Sequence, residues 1–130
     1  MKKMEERRKY IRLEVPVHLQ YIIDGETMRK DVTTKDLSCD GLRFICSNDI
    51  SSGLNLEMNL MIPDASNPVH VNGKVVWSKR LTLEDGSPYE VGVEFSKIEE
   101  DNKNTFLKYL CDLIYDQTKI VDKGKNAKNN

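Results

Sequence analysis

The stretch Leu13-Glu14-Val15-Pro16-Val17-His18-Leu19-Gln20-Tyr21-Ile22-Ile23 places Leu13, Val15, Val17, Leu19, Tyr21 and Ile23 on one parity, and Asp24-Gly25 follows at once. A period of two is that of a half-buried strand, and an Asp-Gly pair is turn chemistry. The run after the turn, Thr27 to Lys35, is polar, with only Met28 and Val32 apolar, as suits the more exposed partner of a hairpin. The same alternation recurs in Leu42-Phe44-Cys46, in Leu54 to Ile62, in Val69-Val71-Gly73-Val75-Trp77 and in Tyr89-Val91-Val93-Phe95. Turn-forming stretches, Asp36 to Gly41, Ser47 to Gly53, Pro63 to Pro68 and Glu84 to Pro88, separate them. Six or seven antiparallel strands in succession predict an all-β domain, a closed or nearly closed barrel, with Trp77 and Phe95 on its apolar faces.

The period then changes. Phe106, Tyr109, Leu110, Leu113 and Ile114 recur at helical spacing behind Glu99-Glu100-Asp101, whose carboxylates favour a helix N-terminus. One amphipathic helix therefore closes the domain. The last residues, Asp122 to Asn130, hold almost nothing apolar and read as a disordered tail. The 130 residues divide into a basic arm over 1–12, a barrel with its helix over 13–117 and a basic tail over 118–130.

A net charge of -1 hides an asymmetry. Residues 1–12 carry six basic and two acidic side chains, residues 119–130 carry four and one, and the body between carries 10 and 18. An acidic body repels a polyanion, so a general nucleic-acid binder is disfavoured, whereas a small anionic ligand at a concentrated cluster is not. No apolar run approaches the roughly 18 residues of a membrane helix. The start, Met1-Lys2-Lys3-Met4-Glu5-Glu6, leads into more charge. A cytoplasmic protein without membrane insertion is expected.

Cys39, Cys46 and Cys111 cannot all pair within one chain and form no C-x-x-C, so they read as small core fillers. His18 and His70 fall in strand-like stretches with no Cys or carboxylate at ligand spacing, and no metal or cofactor is expected. There is no G-x-S-x-G elbow, no P-loop and no Cys/His pairing, which argues against an enzyme.

Two short motifs flank the first hairpin: Arg8-Lys9-Tyr10-Ile11-Arg12 before its first strand and Asp36-Leu37-Ser38-Cys39-Asp40-Gly41 after its second. A hairpin brings its outer ends together, so arginines, a carboxylate, a hydroxyl and a glycine free to take positive φ converge at one end of the barrel. Arginine binds phosphate oxygens through a planar fork and stacks on bases; Asp36 can accept from the N–H groups of a guanine edge, and Ser38 can donate to an oxygen. Such a group suits a guanine nucleotide. On the residues alone, a solvated basic arm beside a plain Asx turn accounts for the same pattern.

The two motifs together resemble those of the PilZ family: Arg8-x-x-x-Arg12 matches its R-x-x-x-R arm and Asp36-x-Ser38-x-x-Gly41 its [DN]-x-S-x-x-G motif. Gly73-Lys74-Val75-Val76-Trp77 and Tyr89 to Phe95 also look like that family's core strands, so the resemblance covers about residues 6 to 116. It implies a six-stranded antiparallel β-barrel of split-barrel type with a C-terminal helix, a non-enzymatic receptor for cyclic di-GMP. By this resemblance Arg8 and Arg12 contact phosphates and stack on guanines, Arg7 is the extra arm arginine, and Asp36, Ser38 and Gly41 line the base side. The implied output is a shape change of the arm passed to a partner protein, with motility or exopolysaccharide machinery as family analogies. Asp40 falls near the phosphates. A nucleotide-independent interaction adaptor is the alternative, and a small barrel binding single-stranded nucleic acid is disfavoured by the acidic body.

Overall fold

The structure, a computed structural model, describes residues 11–63 and 65–129, with no side-chain detail for residues 101–102 and 117–129. Six strands, β1 (His18–Ile23), β2 (Lys30–Leu37), β3 (Gly41–Cys46), β4 (Asn55–Met61), β5 (Val69–Arg80) and β6 (Tyr89–Ile98), precede one helix, α1 (Glu100–Asn129). They form a closed barrel in the order β1-β2-β3-β6-β5-β4, sealed by β1 against β4, and every pairing is antiparallel. Gly25, at φ 90°, makes the turn after β1, a conformation glycine takes without a Cβ clash.

Alternate residues of each strand point inward and meet in one core, where the rings of Tyr21 and Phe44 lie 5.1 Å apart between centroids. Val32 packs against that core, while Met28 lies before β2 and is exposed. The helix buries Phe106 and Leu110, with Tyr109, Leu113 and Ile114 half-buried beside them. Its backbone continues through residues 118–129, the stretch read from composition as a tail. Cys39 and Cys46 pack at the margin of the core, but Cys111 lies exposed on the helix, not within the core as the sequence reading placed it. Position 111 directly follows buried Leu110, on a turn of helix whose inward stripe is already filled.

Among the departures from simple alternation, three bear on the site. Leu13 to Val17 keeps its alternating burial but is not ladder, because Pro16 has no N–H to donate. Leu13 instead makes a lone bridge with Leu37, and the Thr34 hydroxyl accepts from the Val17 N–H at 2.8 Å and donates to the Val15 carbonyl at 2.7 Å. Between Thr34 and Asp36 the β2–β3 register slips, so that Lys35 and Asp36 both reach the outer wall. A second slip, between Val75 and Trp77, reverses the parity of β5. Trp77 therefore leaves the interior, contrary to its sequence assignment, and lies half-buried over Gly92, where a Cβ would come within 2.4 Å of the ring. Phe95 does pack inward, edge-on to Phe106 at 5.8 Å.

Candidate functional site

The hairpin formed by β1 and β2 brings the outer ends of its strands to one end of the barrel. Arg12 stands one residue before the Leu13–Leu37 bridge, and Asp36 stands one residue before Leu37 on the other side of it. Although 24 positions apart in sequence, Arg12 and Asp36 line a single cavity of about 110 Å³ together with Ser38 and Gly41. Asp40, Arg43 and Trp77 contribute to the same walls. Arg7 and Arg8 lie outside the described residues, as does the rest of the arm up to Tyr10.

The turn from β2 to β3 is tightly wired. The Ser38 N–H donates to the Gly41 carbonyl at 2.9 Å, and the Ser38 hydroxyl donates to Asp40 Oδ1 at 2.5 Å. Asp40 thus takes the single hydrogen of the hydroxyl, and its own carbonyl accepts from the Phe95 N–H at 2.8 Å. Gly41 does not have the positive φ expected for it; among the described glycines only Gly25, Gly53 and Gly86 do. What requires glycine is proximity, since a Cβ at position 41 would lie 2.4 Å from the Val93 carbonyl oxygen across the β3–β6 ladder. Gly41→Val should therefore force the two strands apart and cost at least about 1–3 kcal/mol, as overpacking does. A urea melt of that variant matching the parent would show that the ladder yields at this point.

Motif reading passed over two charged residues, Arg43 in the cavity wall and Glu90 behind it. Arg43 donates from Nε to Asp36 Oδ2 at 2.7 Å, again from Nη2 to the same oxygen, and from Nη1 to Glu90 Oε2 at 3.1 Å. Lys35 Nζ donates to Glu90 Oε1 at 2.9 Å. The Asp36 and Glu90 side chains are only 4% and 3% exposed, so two nearly buried carboxylates are matched by two cations. Arg43 titrates above its ordinary value, chiefly through its hydrogen bond to Asp36, against the opposing effect of burial. Burial acts to raise the Glu90 carboxyl, but the hydrogen bond and charge of Lys35, with Arg43 and Lys79, hold it below the usual carboxylate range. Burial pushes the Cys39 thiol, inside the motif, upward and so away from nucleophilic character. Strand parity carried a signal for both residues: if Leu42, Phe44, Val91 and Val93 face inward, Arg43 and Glu90 face outward beside Asp36.

Among the described residues no cluster of three or more His, Cys, Asp or Glu is placed to hold a metal. No described helix is long and apolar enough to cross a membrane.

No curated protein sequence matches the chain. Solved structures do match its fold. It is similar to the inhibitor of motility MotI/DgrA of Bacillus subtilis, at 17% identity and a TM-score of 0.66 over 87% of this chain and 52% of that one. It is similar to the PilZ domain with c-di-GMP of YcgR from Escherichia coli, at 14% identity and a TM-score of 0.66 over 90% of this chain and 98% of that one. MrkH of K. pneumonia in its apo state is also similar, at 19% identity and a TM-score of 0.69 over 86% and 52%. The chain spans about half the length of MotI/DgrA and of MrkH. The family model of the PilZ domain matches residues 6–111, which takes in the second half of the arm, the whole barrel and the first part of α1. With Arg12, Asp36, Ser38 and Gly41 gathered at one end of a six-stranded barrel, the chain belongs to the PilZ domain family, whose domains are not catalytic.

Proposed function

We propose that this domain is a receptor for cyclic di-GMP that passes the level of the messenger to a partner protein. The observation that carries the reading is the meeting of Arg12 with Asp36, Ser38 and Gly41 on one cavity, since each supplies a separate part of what a guanine nucleotide needs. Arg12 offers a fork for phosphate and a flat face for a base. Asp36 offers a carboxylate oxygen that takes neither of the Arg43 bonds and can accept from a guanine N–H. Gly41 lines the same cavity and holds β3 close against β6 there. Arg8, and Arg7 as an auxiliary, come from the arm that leads directly into Arg12. The YcgR domain similar to this one is a PilZ domain with c-di-GMP, which supports the same ligand class here.

Calorimetric titration with cyclic di-GMP tests the reading. Arg8→Ala and Arg12→Ala should each weaken binding at least about tenfold, because a hydrogen bond to a charged group is worth roughly 1.5–3 kcal/mol. Melting temperatures should barely change, as Arg12 lies at an exposed position. Parent-like binding by both variants would remove the site from this end of the barrel. A parent protein that binds no cyclic di-GMP would leave the nucleotide-independent adaptor instead.

The signal is carried by the arm. Six of its twelve residues are basic and only Met1, Met4, Tyr10 and Ile11 are apolar. Little burial therefore offsets the roughly 1–2 kcal/mol per residue of backbone entropy lost on ordering. A ligand gripped by two arm arginines changes that balance and presents a new surface to the partner. Hydrogen exchange should show protection gained at Arg7 to Arg12 and at Asp36 to Gly41 on adding cyclic di-GMP, with the helix unchanged. Equal protection with and without ligand would exclude this switch even where binding is strong. The partner, by family analogy, belongs to motility or exopolysaccharide machinery.

A further inference from the structure

Arg43 belongs to no motif, yet it is the side chain that touches Asp36. The β2 bulge places Lys35 and Asp36 on the same outer face, and Arg43, opposite Asp36 in the ladder, spans from it to Glu90. A carboxylate on a free hinge would present either oxygen to the cavity in any rotation. Here Arg43 engages Oδ2 through two nitrogens, which fixes the plane of the group and assigns Oδ1 the role of unengaged oxygen in that grip. Arg43 is itself fixed by Glu90 Oε2, and Glu90 by Lys35 on its other oxygen. The far end of this chain is anchored within the wall, because the Glu90 side chain is only 3% exposed. We propose that Arg43 is a positioning residue for guanine recognition, holding Asp36 in the one orientation that accepts the N–H groups of the base, with Glu90 and Lys35 as its support.

This inference rests on the cyclic di-GMP reading. Charge balance alone does not account for the arrangement: a lysine would balance Asp36 as well, but as a compact point charge it lacks the rigid fork that puts two nitrogens on Asp36 and a third on Glu90. Arg43 also lines the same cavity as Arg12 and Ser38, so its grip on Asp36 is made at the site.

The test is a cycle between Arg43 and the base. Full-length parent, Arg43→Lys and Glu90→Gln are titrated with cyclic di-GMP and with cyclic di-IMP, which lacks the 2-amino donor of guanine. Arg43→Lys should raise the Kd for cyclic di-GMP about tenfold and that for cyclic di-IMP clearly less, so that discrimination between the two falls at least threefold. Glu90→Gln should move both in the same direction by smaller factors. A merely structural role weakens both ligands equally, and a folded Arg43→Lys that discriminates like the parent overturns the proposal. Should Arg43→Lys fail to melt cooperatively, the Arg43 Nε–H resonance of the parent decides: protection that persists on saturation with cyclic di-GMP supports the positioning role, and loss of protection overturns it. Failure of the parent to bind cyclic di-GMP overturns the receptor reading itself, an outcome distinct from the others.

Discussion

Arg43→Ala is expected to lower the free energy of unfolding by about 3–5 kcal/mol, the range seen when one partner of a buried ion pair is removed and the other is left uncompensated. The Arg43 side chain is 23% exposed, so solvent screens it only partly, while the Asp36 and Glu90 carboxylates it joins are almost fully covered. Lys35 remains to serve Glu90, but nothing replaces the two donors to Asp36. For a domain of this size the loss corresponds to a melting temperature lower by roughly 10–20 °C. Urea unfolding followed by fluorescence of Trp77, the single tryptophan, reads it directly, because that ring borders the same cavity. A loss below about 1 kcal/mol would show that these charges behave as an ordinary solvated surface pair.

Phe106→Ala should cost a similar amount, about 3–5 kcal/mol, for a different reason. Phe106 is fully buried, it meets the edge of Phe95 from β6, and among the described side chains of the helix only it and Leu110 are buried. Truncation leaves a cavity the size of a ring that rigid strands cannot collapse to fill. The helix should loosen from the barrel while the β1–β2 end keeps its geometry, so affinity for cyclic di-GMP should fall far less than stability. Thermal melts paired with calorimetry separate the two, and a parent-like melt would mean that the helix contributes little to the fold.

The barrel was readable in the sequence because one face of nearly every strand is buried and the other wet, which writes a period of two into the chain. The weakest reading, β2, came from a strand whose inward residues include Thr34, a polar group that is buried only because it replaces the backbone bonds Pro16 interrupts. Trp77 was misplaced because a bulge changes parity without leaving a mark in composition. For the site, Arg12, Asp36, Ser38 and Gly41 were legible as motif residues, but the reason for Gly41 was not, since a close approach from β6 is a contact between distant segments. Arg43 and Glu90 escaped for the same cause. Their partnership joins positions 47 apart, and parity, which turns both side chains outward, does not say that they meet.

Because β1 pairs with β4 and closes the ring, each of the six strands has a hydrogen-bonded neighbour on both sides over at least part of its length. A closed ring leaves an extended peptide, or a second copy, far less open edge to pair with than a flat sheet does. Recognition of the domain is then written mainly in side chains and loops. Such a code can be rewritten one substitution at a time while the hydrogen-bonded cylinder beneath it stays the same, which lets a single scaffold acquire a new listener without relearning how to fold.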